Sequence, residues 1–557
     1  MKQKLKQIIE QALQNAYKNG KLPSAAFPDI VMEVPKAASH GDYASNVAMV
    51  SASIQKMAPR KIAEAIVSHI VDADHVIDRV EIAGPGFINF HICSGAWARF
   101  LKPIHAQGCR YGAVNIGQGR KIQIEFVSSN PTGPLHVGHG RGAAVGDSVA
   151  NILAFCGYDV QKEYYINDSG RQIQTLGRSV FLRCRELMGE SVFFPEDCYQ
   201  GDYIRDIARQ ILDQKGTSLM DQSDEKAVMV CARYAAALIL DDMKRDLESF
   251  GVTFDCWFSE QSLYDSGKVA EVIEMYRNRG IVYEKDDALW FNTSAYGDEK
   301  DRVVVRQNGQ TTYFASDIAY HYHKIERGFE QVIDVWGADH HGYIPRVAAA
   351  IEAGGYDRDR FHVILVQLVS LLRGGVPVAM STRAGEFVTL KDVLHEVGKD
   401  AARFIFLTRS SDNTLDFDLE VAAQKTNDNP VYYVQYVHAR ICSIIRKYGE
   451  MPTADVPGDA AADALTVLLN TSDDIALIKL LMKYPEIIRL SAELMEPHRI
   501  TFFMMELASA FHGYYNRQRV LTDDVLLTRA RLYLMTAVRQ VIANGLSLLG
   551  VTAPESM

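Results

Sequence analysis

The sequence predicts an α/β protein: a Rossmann-like parallel sheet in the middle of the chain, a small α+β domain ahead of it and an all-α helical bundle behind it. Three observations carry that expectation. Between residues 111 and 410, apolar strand-like runs repeatedly end in Gly-rich turns that lead into helices, the pattern of a doubly wound sheet. Residues 1–110 combine an amphipathic helical stretch with a strand–turn–strand pattern. Residues 430–557 carry helical periodicity alone.

Each segment has its own justification. Leu5, Ile8, Ile9, Leu13 and Tyr17 recur at helical spacing with Lys4, Lys6 and Glu10 between them. That pattern reads as an amphipathic helix and not as the apolar block of a signal peptide. The Gly41-Asp42 turn reads equally as the lead into a helix or as a turn with an N-cap, and Val80 to Phe90, centred on Gly84-Pro85-Gly86, reads as strand, turn, strand. In the middle segment Ile122, Ile124 and Phe126 mark a first strand, and Val160 to Ile166 a second, ahead of the turn Asn167-Asp168-Ser169-Gly170. A long helical insertion is expected over roughly 170–280. The sheet then resumes with Gln331 to Trp336, a helix through Val347 to Ile351, and the β-prone run Phe361 to Leu368. In the last segment Gly550 is placed to end the final apolar helix.

Composition bounds the function. The 557 residues suffice for about three to five domains at ~100–200 residues each. With 48% hydrophobic and 23% charged residues the usage is that of a globular protein, and no apolar run approaches the ~18 residues of a membrane span. The eight cysteines are scattered singly, which points to reduced thiols and a cytoplasmic protein. A net charge of −10 argues against indiscriminate nucleic-acid binding but leaves room for local basic patches.

The stretch Glu125 to Asp147, EFVSSNPTGPLHVGHGRGAAVGD, concentrates the chemistry. A strand runs into a Pro/Gly turn, His136 and His139 lie three apart around Gly138, and a helix of small residues begins with Ala143, Ala144 and Val145. A helix start of this kind offers backbone N–H groups at a positive end, which suits phosphate. Two imidazoles there can donate to phosphate oxygens as charge builds during phosphoryl or nucleotidyl transfer. Glycines let the backbone approach a nucleotide closely. The alternatives are half of a metal site, for which no CxxC pair supplies further ligands, and a plain polar turn. A second Gly-rich stretch, Arg373 to Gly385, follows a strand and precedes Thr389-Leu390-Lys391-Asp392, which has capping-box spacing. Such a loop can close over a triphosphate, or can be a surface loop.

HVGH resembles the HIGH signature of class I aminoacyl-tRNA synthetases. The second loop resembles their KMSKR loop, with Ala379 and Thr382 at the two lysine positions and Met380, Ser381 and Arg383 kept. Beyond the class, SSNPTGPLHVGHGRG, EYYINDSGRQI, FASDIAYHYHK, DVWGADHHGY, MSTRAGEFVTL, NPVYYVQYVHARI and the closing APESM resemble the arginyl-tRNA synthetase family over essentially the whole chain.

That resemblance implies a class I Rossmann-like catalytic domain over 111–410, an N-terminal domain over 1–110 that touches the outer corner of tRNA, and a helical anticodon-binding domain over 430–557. It implies ATP-dependent charging of tRNA(Arg) with L-arginine through an arginyl-adenylate, by a monomeric cytoplasmic enzyme. Mg²⁺ would accompany ATP, with no structural metal. His136, His139 and Arg383 would be catalytic. ATP would lie on Asn130, Pro131, Thr132, Gly133, Pro134, Leu135, His136, Val137, Gly138, His139 and Gly140, together with Gly337, Asp339, Met380 and Ser381. Arginine would be held by Ser128, Asn130, Glu260, Tyr313, Asp317 and Asp339. Tyr432, Tyr436 and Arg440 would meet tRNA.

The chemistry agrees, because a planar, permanently charged guanidinium calls for carboxylates in a matching fork. From the residues alone, Asp317 is equally a helix N-cap, Glu260 a solvated loop acid, and the Tyr432–Tyr436 stripe a core face. Two other functions stay open at this point: a nucleotidyltransferase that needs no RNA, and a silent tRNA-binding paralogue lacking the loop lysines.

Overall fold

The structure, a computed structural model, describes residues 1–219, 223–378, 388–449, 465 and 467–557. The chain falls into two compact units. One comprises Met1–Gly108, Ile441–Lys483 and Ala510–Gln540, the other Cys109–Arg440, Tyr484–Ser509 and Val541–Met557. Among the described residues no helix is long and apolar enough to cross a membrane.

In the first unit the Lys2–Lys18 helix buries Leu5, Ile8, Ile9 and Leu13. Tyr17 is 42% exposed, contrary to expectation, because Ala16, three residues after Leu13, continues the buried face instead. Strands β1 (Tyr43–Ser45), β2 (Ile77–Ala83) and β3 (Phe87–Ile92) form an antiparallel sheet in the order β1-β3-β2. Gly41 needs to be glycine: its φ is +86°, and a Cβ there would lie 2.6 Å from the Phe90 carbonyl oxygen. Of the two readings open for this stretch the helix is present, at Val47–Val50.

The second unit is organised by a parallel sheet. Its strands are β4 (Lys121–Glu125), β5 (Asp159–Ile166) and β6 (Cys256–Ser259). A small antiparallel meander follows, of β7 (Val282–Lys285), β8 (Ala288–Phe291) and β9 (Arg302–Val305), before β10 (Gln331–Gly337) and β11 (Phe361–Val366) return to the sheet. The order is β11-β10-β4-β5-β6, all parallel. Ile122 and Ile124 of β4 are fully buried, as suits a strand covered on both faces. The chain leaves β4 toward β5 on one side and later returns as β10 on the other. This is the topological switch point where open α/β sheets bind ligands at their carboxyl edge. Strands β12 (Val369–Arg373), β13 (Val376–Pro377) and β14 (Leu415–Asp418) make a separate three-stranded sheet.

The expectation of helix throughout 170–280 needs correcting. The helices Arg171–Leu187, Asp202–Lys215 and Asp224–Ser249 are there, but β6 within the same span is the edge strand of the main sheet. Four residues are too few to show a period. What fixes them is aromatic packing: the Trp257 ring stacks on Tyr164 with centroids 4.4 Å apart.

Buried ion pairs set the helix Tyr313–Glu326 on the sheet. Lys324 Nζ, wholly buried, donates to Glu125 of β4 at 2.6 Å and to Asp334 of β10 at 2.8 Å. Arg327, just past the helix, holds Glu163 of β5 at 2.6 Å. The helix Val137–Phe155 is anchored similarly, through Asp147 to Lys162 at 2.6 Å and to Arg403 at 2.5 Å. Arg403 Nε also donates to the Leu549 carbonyl, and Gly550, with φ +68°, has no room for a Cβ beside that guanidinium. The final helix, Val525–Leu548, thus ends where the sequence places its stop.

Candidate active site

The loop after β4 begins strained. Val127 and Ser128 take φ values of +69° and +40°, which non-glycine residues rarely adopt away from functional sites. Tyr164 pins the next residue, its hydroxyl donating to Ser129 O at 2.9 Å and accepting from Ser129 N at 3.1 Å. The Ser128 hydroxyl accepts the Tyr165 N–H at 3.1 Å, tying the ends of β4 and β5 together.

His136 is the N-cap of the Val137–Phe155 helix. Its Nδ1 accepts the Gly138 N–H at 3.1 Å, and His139 Nδ1 accepts the His136 N–H at 3.2 Å. Each ring therefore carries its proton on Nε2, where it is a donor. The rings stack with centroids 3.7 Å apart. Burial depresses both pKa values, that of His139 to about 3, with the neighbouring ring adding to the effect there. At neutral pH the pair is a set of uncharged donors.

These rings, with Asn130, Thr132, Gly133 and Pro134, line one wall of a cavity of about 840 Å³. The opposite wall comes from the insertion: Phe194, Glu196, Tyr199, Gln200 and Tyr203. The Tyr203 hydroxyl bridges the walls, donating to Thr132 O at 2.7 Å. The sequence reading missed this wall, since nothing in its pattern ties it to the HVGH turn. Pro131, Leu135, Val137 and Gly140 are buried in the loop and helix beneath. At Gly140 the reason for a missing side chain is packing, because a Cβ would lie 2.7 Å from Leu390 Cδ1. Leu390 also ties its segment to the loop, its N–H donating to Leu135 O at 2.8 Å. Thr389 and Asp392 form the expected capping box. Met380, Ser381 and Arg383 lie outside the described residues, as do Ala379 and Thr382.

Neither of the two acids singled out by resemblance lines this cavity. Glu260 opens the short helix Glu260–Asp265 after β6 and is 2% exposed. Its Oε2 accepts from Ser169 Oγ at 2.9 Å. Asp168, in the same turn, anchors the segment by accepting from Ser259 Oγ at 2.6 Å and from the Gln261 N–H at 3.0 Å. Asp317 is not a cap: Thr312 is the N-cap of the Tyr313–Glu326 helix, and Asp317 lies a full turn inside it. Its Oδ2 accepts from the Tyr343 hydroxyl. Burial, outweighing that hydrogen bond and reinforced by the charge of Glu260, pushes the Asp317 pKa up to about 6.

The decisive feature is what these acids lack. Glu125, Asp147, Glu163 and Asp334 each hold a Lys or Arg partner. Among the described residues Glu260 and Asp317 have only neutral partners, the Ser169 hydroxyl and the Asn167 amide for Glu260 and the Tyr343 hydroxyl for Asp317. Glu260 is buried and Asp317 half-buried, and carboxylates so placed without a cation can hold a cationic ligand. Tyr313, 55% exposed, lies over the neighbouring turn, its hydroxyl 3.6 Å from where a Gly170 Cβ would be. Asn130 donates to Gln172 across the loop. Gly337 and Asp339 sit exposed at the carboxyl end of β10, where Asp339 Oδ1 is 3.2 Å from His340 Nδ1. Ser169, Asp168 and Tyr343 were not among the site residues singled out from the sequence. The Asn-Asp-Ser-Gly turn was the only local signal for the first two.

In the Pro430–Gly449 helix the structure divides the expected stripe. Gln435 and Ala439 are buried, Gln435 donating to Asp400 and to Thr552 O. Tyr432 and Tyr436 are half-buried and stack, with centroids 6.1 Å apart, and the Arg440 guanidinium lies 5.8 Å from the Tyr436 ring centre.

Among the described residues no group of three or more His, Cys, Asp or Glu is arranged to hold a metal ion.

Comparison with known proteins covers the whole chain. Residues 101–443 match the family described as tRNA synthetases class I (R), catalytic domain. Residues 3–92 match the arginyl tRNA synthetase N terminal domain, and 434–557 the DALR anticodon binding domain. A protein named arginine–tRNA ligase from Desulfosudis oleivorans is 60% identical over 100% of both chains, and one of the same name from Syntrophotalea carbinolica is 54% identical over the same share. A crystal structure titled as a putative arginyl tRNA synthetase from Campylobacter jejuni superposes with a TM-score of 0.76 at 34% identity, covering 84% of this chain and 100% of that one.

Proposed function

The chain belongs to the arginyl-tRNA synthetase family of class I, and on that premise we propose that ATP lies against the HVGH turn while arginine reaches Glu260 and Asp317 with its guanidinium. The activity itself is the ATP-dependent attachment of arginine to tRNA in translation. The single observation that supports the arginine site is the pair of carboxylates with no cationic partner among the described residues.

Arginine's own carboxylate is the nucleophile, so the protein supplies none. It attacks the α-phosphate of ATP, pyrophosphate leaves, and an arginyl-adenylate results. The 2′-hydroxyl of the terminal adenosine of tRNA(Arg) then takes the arginyl group and AMP leaves. The protein's task is alignment and stabilisation of charge. The Nε2–H groups of His136 and His139, already oriented by the caps on Nδ1, donate toward phosphate oxygens as negative charge develops. Asn130 and Asp339 face the amino acid's α-amino and carboxyl groups, Ser128 and Tyr313 complete its pocket, and Arg383 serves the departing pyrophosphate. Mg²⁺ enters as part of the substrate, bound to the phosphates of ATP. Without a strong selection for guanidinium an editing step would be needed. The acid pair supplies that selection, since other side chains would leave it uncompensated.

For tRNA, Tyr432, Tyr436 and Arg440 offer a stacked, half-exposed aromatic and cationic face that suits unstacked bases. Segment 430–557 would read the anticodon and segment 1–110 the outer corner, with catalysis in 111–410. The enzyme would work as a cytoplasmic monomer. An RNA-independent transferase is set aside because the anticodon binding domain model matches 434–557.

A structure with a non-hydrolysable arginyl-adenylate analogue tests the site. The guanidinium is expected between Glu260 and Asp317 and the phosphate mimic beside His136 and His139. A guanidinium bound elsewhere overturns the proposal.

A further inference from the structure

Tyr165 carries a hydroxyl with no partner in a place where a ligand would supply one. The residue lies on β5 and is 9% exposed. Its ring packs against Tyr320, with centroids 4.5 Å apart, and runs nearly parallel to Phe258 of β6 at 6.2 Å. Its N–H donates to Ser128 Oγ at 3.1 Å, so its backbone is fixed to the strained loop. Register pairs Tyr165 with Phe258, two residues before Glu260. The hydroxyl oxygen is enclosed and, among the described residues, makes no hydrogen bond. Leaving a buried hydroxyl unbonded costs stability, so such a group calls for an explanation.

Its surroundings provide one. Tyr484 also has an unbonded buried hydroxyl, but the groups acting on it are Cys156 and Tyr111. For Tyr165 burial comes first and the charges of Glu260 and Asp317 next, and together they raise its pKa far above the ordinary phenol value. The phenol therefore stays protonated and neutral. The two carboxylates within its electrostatic reach are each met by neutral donors, Glu260 by Ser169 and Asn167 and Asp317 by Tyr343.

Building on the arginine site proposed above, we infer that the Tyr165 hydroxyl is a third polar contact of that pocket, its oxygen accepting an N–H of the guanidinium held by Glu260 and Asp317. A guanidinium presents five N–H donors in one plane, enough for two carboxylates and a neutral acceptor together. A compact ammonium has three donors converging on one atom and cannot span the same points. The phenol adds no charge. It contributes selection of shape: guanidinium over ammonium at a site whose acids alone would attract either.

Tyr165→Phe removes one oxygen and nothing else, and stability and arginine affinity should move in opposite directions. Without ligand the melting temperature rises, because an unbonded buried hydroxyl is gone. In tRNA charging, KM for arginine rises about ten- to hundredfold, the scale of one hydrogen bond to a charged group, while kcat stays within about twofold and KM for ATP is unchanged. An unchanged KM for arginine overturns the inference, whatever the melting temperature does. A fall in melting temperature overturns it too, since the hydroxyl would then be bonded within the protein. Asp317→Asn, measured alongside, separates this inference from the reading beneath it. If Asp317→Asn raises KM for arginine and Tyr165→Phe does not, only the third contact is wrong. If neither variant changes it, the arginine site itself is misplaced.

Discussion

The imidazoles of His136 and His139 stack face to face, and each turns its Nδ1 to a backbone N–H at the start of the same helix. One nitrogen of each ring is thus spent on capping and the other is left as a donor. Substitutions can separate the two jobs. Glutamine reaches roughly where Nε2 lies, and asparagine roughly where Nδ1 lies. His139→Asn should keep the cap and lose about 10²–10³-fold in the rate of arginine activation, the scale for one donor aimed at transition-state charge. His139→Gln should retain more of that rate. Pre-steady-state activation measured on both variants decides it, and equal rates would leave the ring only its capping role.

In the proposed arginine site, Asp317 should make arginine binding depend on pH. A guanidinium bound there would need the ionised form, and burial raises the Asp317 pKa to about 6. Affinity should therefore be constant above about pH 7 and fall roughly tenfold per unit well below pH 6. For stability the sign is opposite. A carboxyl whose pKa is raised by folding favours the folded free protein most below about pH 4, and that contribution disappears as pH rises through 6. Asp317→Asn should abolish both dependences and weaken arginine binding by roughly 3 kcal/mol or more. Calorimetric titration of arginine between pH 5 and 8 reads the first effect directly.

Much of this site was legible because it is contiguous. Strand, turn, paired histidines and helix occupy one stretch, so periodicity and turn chemistry sufficed for His136 and His139. Glu260 and Asp317 are different. They meet only because β6 joins the sheet beside β5 and the Tyr313–Glu326 helix is held on it from the other end. A four-residue strand inside a helical insertion leaves no period to read, and a buried Lys324 looks like any helical lysine. At Gly140 the missing side chain also makes room for Leu390, a packing role that the turn's sequence does not distinguish from close approach to a nucleotide. The proposed loop cation, Arg383, lies outside the described residues.

Lys324 should be needed for stability and, through it, for the position of Asp317. Lys324→Met leaves Glu125 and Asp334 buried without their cation and should cost about 3–5 kcal/mol in urea unfolding. Glu125→Gln added to it should recover part of that loss, since one uncompensated charge is removed. Additive losses in the double variant would show that the two groups do not interact.

Tyr436→Ala tests the proposed tRNA face. The ring is half-buried, so truncation should leave the melting temperature within a few degrees of the parent. If it stacks on a base, tRNA(Arg) binding should weaken by about 1–3 kcal/mol. A large fall in melting temperature with unchanged tRNA affinity would identify a core residue instead.

Arginine-dependent exchange of pyrophosphate into ATP, run with and without tRNA(Arg), tests the central claim most directly. The parent protein should exchange with arginine, and not with lysine or citrulline, in at least the reaction containing tRNA. Glu260→Gln and Asp317→Asn should lose exchange through arginine KM, and His139→Asn through rate. Exchange that persists at parental arginine KM in both acid variants would contradict the assignment of the carboxylate pair to the guanidinium.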